Sequence, residues 1–206
     1  MVSVIPLRGL VIFLCLLHLC VQGIQEMNTV CLAQMTQYFY DNVQPKTKQG
    51  ADAQYALSIY VPPAHCTDKH AKIENVFDKD DAAQVKTLLN KGVTYNSLMD
   101  KLLEKARDQS CVVFYSYNSP CVETCLQSAD NITEGLRNWI NKRGKKGQIN
   151  AFVFQEIWHR DNDRDLKKGF HNIDKIVPLY RCRRNRNAMG CRKCVNNNVV
   201  DPFCLP

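Results

Sequence analysis

The sequence predicts a three-layer α/β fold, a mixed sheet flanked by helices, followed by a disulfide-rich C-terminal tail. Short apolar, β-branched and aromatic runs alternate with longer stretches whose apolar residues recur at helical spacing, and this pattern predicts the layers. No internal repeat interrupts it. Residues 181–206 predict the tail, because they are rich in cysteine and basic residues and carry no periodicity. The division that follows is 1–23 as a signal peptide, 24–182 as the α/β domain and 183–206 as a basic tail.

Taken in order, residues 25–43 place Val30, Leu32, Met35, Tyr38, Phe39 and Val43 at helical spacing, and Pro45 and Gly50 end that helix. Residues 56–61 (ALSIYV) form a strand stopped by Pro62-Pro63. Asp81 caps a short helix over 82–89 that ends at Gly92. Residues 94–107 form another amphipathic helix, with Leu98, Leu102 and Leu103 inward. A buried strand opens at Cys111, and a helix runs from Cys121 to about Asn141, where Gly144 terminates it. Residues 149–158 (INAFVFQEIW) are the next strand, 163–170 a short helix, and 175–180 a final strand that Pro178 assigns to a sheet edge.

The leader is read from Arg8, an apolar run from Leu10 to Val21, and the small-residue cleavage site Val21-Gln22-Gly23. The run is too short for a bilayer, and no later run approaches the ~18–20 apolar residues a span needs, so the mature chain is expected to be exported and to have no membrane span. Two of eleven cysteines, Cys15 and Cys20, leave with the leader, and the nine that remain face an oxidising compartment. If Cys121 and Cys125 hold a metal, Cys111 reads as a buried free thiol, and Cys31, Cys66, Cys182, Cys191, Cys194 and Cys204 can form three disulfides in any of fifteen connectivities. Asn131-Ile132-Thr133 is an N-glycosylation sequon. The formal charge is +7, concentrated in residues 142–146 and in Arg181, Arg183, Arg184, Arg186, Arg192 and Lys193. Such patches attract nucleic acid, anionic glycans or bacterial surfaces, or serve as solvated loop and tail.

The densest chemistry lies in residues 111–125, CVVFYSYNSPCVETC. Its apolar, aromatic start is a strand; Asn118-Ser119-Pro120 breaks it; and Pro120 suits a first helical position, which puts Cys121 in a helix's opening turn and Cys125 on the same face. A helix N-terminus lowers a thiol's pKa and favours thiolate ligands. Strand, Ser-Pro-Cys and helix with a second cysteine form half of the zinc deaminase signature, His-x-Glu followed downstream by Pro-Cys-x-x-Cys. On these residues the chain resembles the AID/APOBEC-like cytidine deaminase superfamily, and with its leader and Tyr-Asn-Ser-Pro-Cys it looks most like the secreted novel AID/APOBEC-like deaminases. The order of elements extends the resemblance over roughly residues 50–182. Three residues, not two, separate its cysteines.

The resemblance implies a three-layer cytidine-deaminase-like fold, zinc as cofactor, a nucleoside or single-stranded nucleic acid as substrate, and a role in extracellular defence. A hydrolytic deaminase needs three protein ligands on zinc, water in the fourth position and a nearby Glu that moves protons without binding the metal. In the family the His and Glu open the helix before the cysteine strand. Here that helix opens Thr94-Tyr95-Asn96-Ser97-Leu98, so Tyr95, Asn96 and Ser97 occupy degenerate positions and catalysis is expected to be impaired. The competing alignment uses His70-Ala71-Lys72-Ile73-Glu74, with His70, Cys121 and Cys125 on zinc and Glu74 as proton shuttle. It separates Glu74 from Pro120 by 45 residues, against 22 from Ser97, and the shorter interval fits one helix feeding one strand. Ser119, Tyr115 and Tyr117 flank the turn where the family frames its base; the same rings also suit core and rim packing. The remaining reading is a non-enzymatic cationic binder of polyanions.

Overall fold

The computed structural model describes residues 26–76, 79–90, 111–129, 131–143, 148–186 and 188–206. Among these, five strands form one mixed sheet in the order β1 (Ala56–Val61), β2 (Cys111–Asn118), β3 (Ile149–Glu156), β4 (Leu179–Asn185) and β5 (Ala188–Lys193), and β6 (Val195–Asn196) pairs with β7 (Val199–Val200). The helices are α1 (Thr29–Asn42), α2 (Ala64–Thr67), α3 (Lys79–Asn90), α4 (Ile132–Arg143) and α5 (Lys167–Asp174). Strands β2, β3 and β4 are parallel, while β1 and β5 run antiparallel along the two margins. Parallel neighbours need long crossovers, and α4 and α5 supply them.

Three layers result from the period-two alternation of β2 and β3. Val113, Tyr115, Ala151 and Val153 bury one face with Leu32, Met35 and Phe39 of α1. Val112, Phe152 and Phe154 bury the other with Leu136 and Trp139 of α4 and Phe170 and Ile173 of α5. Each fully buried large apolar side chain contributes roughly 1.5–3 kcal/mol. Helix α1 starts at Asn28, whose side-chain oxygen accepts from the Val30 N–H at 2.8 Å. No described helix is long and apolar enough to cross a membrane.

Several expectations are corrected. Cys111 is not a free thiol: it is bonded to Cys66, and the other disulfides among the described residues are Cys182–Cys191 and Cys194–Cys204. Among the described residues Cys31 is the buried free thiol, inside α1. Closing the 45-residue separation between Cys66 and Cys111 removes unfolded-state entropy on the order of 4 kcal/mol, and each of the shorter links about 3 kcal/mol. Pro178 does not mark an edge, because β4 begins after it and lies between β3 and β5; its carbonyl accepts from the Phe152 N–H at 2.9 Å. Nor are residues 175–180 the final strand, since β4 starts at Leu179 and β5 carries the sheet on to Lys193. The expected helix from Cys121 is interrupted: a short π-turn covers Val122–Leu126, and α4 starts afresh at Ile132 with Asn131 accepting from the Thr133 N–H at 3.0 Å. The helix expected over 94–107 lies outside the described residues.

Candidate functional site at the Cys121–Cys125 turn

Parallel strands direct their carboxyl ends to one end of the sheet, where open α/β sheets hold their ligands. Strand β2 delivers Ser119, Pro120 and Cys121 there, and β3 delivers Trp158 to Asp161. The two connections are tied together. The Ser119 N–H donates to Glu156 O at 2.7 Å, and the Ser119 hydroxyl accepts from the Trp158 N–H at 3.0 Å. The Val122 N–H donates to Oδ2 of the buried Asp161 at 2.9 Å. Outside, Arg164 pairs with Glu123 at 2.6 Å, so four contacts lock the cysteine turn onto the segment after β3.

Within the turn, Cys121 O accepts from both the Cys125 and Leu126 N–H groups at 3.1 Å, and Val122 O accepts from Gln127 N–H at 3.0 Å. The five-residue spacing is that of a π-turn, which accommodates an inserted residue. The extra residue between the cysteines is absorbed in this way. Their sulfurs still meet, at 2.8 Å, and Thr124 Oγ1 lies 2.8 Å from the Cys121 sulfur. Burial pushes the Cys121 thiol up, but bonds from Cys125, Thr124 and two backbone N–H groups together hold it below the ordinary thiol value. Burial, then the bond to Cys121, raises Cys125. The two directions make Cys121 the more acidic thiol of the pair.

The other expected residues are distributed as follows. Tyr115 has no exposed surface; its ring packs against Phe39 and Tyr55, and its hydroxyl donates to Gln155 Oε1 at 3.0 Å. Burial drives its phenol far above the ordinary value, and no base can stack on it. Tyr117 is half-buried, stacks on Tyr55 and donates to Asp52 Oδ2 at 3.4 Å. Ser119 is buried and occupied by Trp158. Asn131 is half-buried and caps α4 through Thr133, whose hydroxyl also donates to it.

His70 and Glu74 are not brought to the cysteines. The Cys66–Cys111 link fastens their segment to the amino end of β2, an eight-residue strand of about 23 Å, whereas the thiols lie past its carboxyl end. Lys69 O accepts from Gln34 of α1 at 3.3 Å, and Glu74 lines a cleft with α1 and with Met189 of β5. That is the face opposite the one on which Val122 and Leu126 pack. Among the described residues no three His, Cys, Asp or Glu side chains assemble into a metal-holding group, so the zinc set His70, Cys121 and Cys125 is not formed. Tyr95, Asn96 and Ser97 lie outside the described residues. Sequence reasoning missed Asp161, a buried carboxylate with no local pattern; Thr124, between the cysteines, was open to inspection.

With this geometry stands one match: the family described as Secreted Novel AID/APOBEC-like Deaminase 1 covers residues 29–97 and 87–206. The chain belongs to that family. No curated protein and no solved structure matches it. The Secreted Novel AID/APOBEC-like Deaminase 1 match spans the whole sheet and the cysteine turn, and a mixed sheet between helical layers is the fold it implies. Deaminases of this kind are typically zinc-dependent, which allows a test of fit. A catalytic zinc takes three protein ligands, with thiolates at about 2.3 Å, so two of them sit roughly 3.8 Å apart on a tetrahedral ion. The described turn offers two thiols at 2.8 Å, a pair that must open to embrace a metal, and no third donor. The described donor set does not fit a catalytic zinc, and no chemical step is derived through one.

Proposed function

We propose that this is an exported member of the deaminase fold whose cysteine turn is the remaining half of a zinc centre, with the His and Glu half lost at Tyr95–Ser97 and catalysis impaired in consequence. The single observation that carries this reading is the Cys121–Cys125 contact at the carboxyl end of β2, formed although His70, the third ligand of the competing alignment, is fastened to the other end of the same strand. Loss of the Glu alone removes general acid/base catalysis worth ~10²–10⁴ in rate. The leader at 1–23 and the described disulfides support export. The role assigned is extracellular defence, on the family resemblance, through contact with single-stranded nucleic acid or nucleosides rather than through turnover.

Conversion of cytidine, deoxycytidine and cytosine in single-stranded DNA to the uracil products tests the proposal. The wild-type protein is expected to show no turnover above a Cys121→Ser control, and the double variant Tyr95→His, Ser97→Glu to gain it. Wild-type turnover abolished by Glu74→Gln would restore the active-deaminase reading instead.

A further inference from the structure

We propose that the arginine-bearing tip of the β4–β5 ribbon is the surface on which single-stranded nucleic acid docks. The inference rests on the nucleic-acid contact proposed above and assigns it to residues outside the cysteine turn. Strand β4 carries Arg181, Arg183 and Arg184, followed by Arg186 at the turn into β5. Period two sends Arg181 and Arg183 to the α4–α5 face and Arg184 to the α1 face, where its guanidinium lies 4.9 Å over the Tyr40 ring. One strand thus presents arginine on both faces at its carboxyl end.

This charge is left unneutralised. The ribbon's acidic partners sit lower down, as Arg192–Asp201 at 3.8 Å and Lys193–Glu26 at 2.7 Å. Among the described residues no carboxylate pairs with Arg183, Arg184 or Arg186, all three of which are exposed. Packing does not account for the arrangement either. Arg181 stands directly opposite Arg192 in the ladder, with Arg183 two residues on along the same face, a placement of like charges that works against pairing. The fold holds it by the Cys182–Cys191 link and by three carbonyls, Gln155 O, Phe203 O and Leu205 O, which accept from the buried Arg181 at 3.1, 3.0 and 2.8 Å. The result is a stiff ribbon with a repelling, solvent-facing cationic tip.

The aromatic neighbours select among polyanions. Tyr40 lies beneath Arg184, and its hydroxyl and that of Tyr117 both reach Asp52 Oδ2, at 3.5 and 3.4 Å. A guanidinium seated on a ring offers its outer plane to a nucleobase while its edge meets phosphate. A sulfated glycan has no π-face to use it. The tip also lies two strands from β2, about 10 Å, at the same end of the sheet as the cysteine turn, so a strand held here runs past that turn.

Fluorescence anisotropy with a labelled oligothymidylate of ~15 nucleotides, across a salt series, reads this directly. The triple variant Arg183→Gln, Arg184→Gln, Arg186→Gln is expected to bind at least about tenfold more weakly, and its slope of log affinity against log salt to flatten by about 2. Arg184→Lys is expected to weaken binding while keeping the slope, because the charge stays and the plane goes. Lys69→Gln, which removes an exposed charge in the segment fastened to the amino end of β2, should bind like the wild type, which separates this surface from general cationic attraction. Unchanged affinity and slope in the triple variant, or a wild-type protein that takes heparin and leaves the oligothymidylate free, would overturn the assignment. Neither result touches the zinc-centre reading, which is decided by metal content and turnover.

Discussion

Asp161 Oδ2 sits 2.9 Å from the Val122 backbone N–H, and through this one bond the segment after β3 fixes the first residue of the turn that joins the two thiols. Both partners are buried, so removing the acceptor leaves a donor unsatisfied. Asp161→Ala is expected to cost about 2–3 kcal/mol in a denaturant melt, and Asp161→Asn, which keeps an acceptor, clearly less. The Ala variant should also expose both cysteines to faster alkylation. Equal melts for the two variants would refute the capping role.

The asymmetry between the thiols predicts their pH order. On metal-free protein, alkylation at Cys121 should rise at lower pH than at Cys125, and Thr124→Val should move the Cys121 profile upward by removing a hydroxyl that favours the thiolate. Cys121 titrates lower when folded, so its contribution is fully present above the unfolded thiol's value of about 8.5 and is lost as pH falls through the folded one. Peptide mapping of alkylated protein at graded pH checks the order, and a Thr124→Val profile coincident with wild type would contradict it.

Tyr115 separates packing from substrate contact. Tyr115→Phe leaves Gln155 Oε1 without its donor and is expected to cost about 1–3 kcal/mol, while Tyr115→Ala should cost about 3–5 kcal/mol. Nucleic-acid affinity of the folded Phe variant should match wild type. A loss of affinity without a loss of stability would return Tyr115 to the binding surface.

Cys66 and Cys111 test the framework. Replacing both by Ala should lower stability on the order of 4 kcal/mol, more than replacing the Cys194–Cys204 pair, because the longer loop is released. Comparable midpoints for the two variants would contradict the loop argument.

Much of this fold was legible because the decisive residues act locally. Ala56–Val61 has the bounds its apolar run and Pro62-Pro63 suggest. Strand β2 continues past Tyr115 to Asn118 because Gln54, remote in sequence, closes its polar end, donating to Ser116 Oγ at 3.1 Å and accepting from the Asn118 N–H at 2.8 Å. The β4–β5 hairpin was hidden because its inward positions are filled by Arg181, Cys182 and Cys191, which hydropathy does not register as core. Cys111 looked like a free thiol because its partner, Cys66, comes from α2, just after β1, and the register Val61↔Cys111 brings them near. The meeting of Cys121 and Cys125 was readable from their spacing. The π-turn that brings them together was not, since it depends on Asp161 from another crossover.

Zinc content of purified protein after dialysis against a mild chelator bears most directly on the central claim, that two thiols remain from a centre whose other half is gone. The account predicts well under stoichiometric zinc in the wild type, abolished by Cys121→Ser and raised to stoichiometric by Tyr95→His with Ser97→Glu. Stoichiometric zinc retained by the wild-type protein and lost in His70→Ala would contradict it.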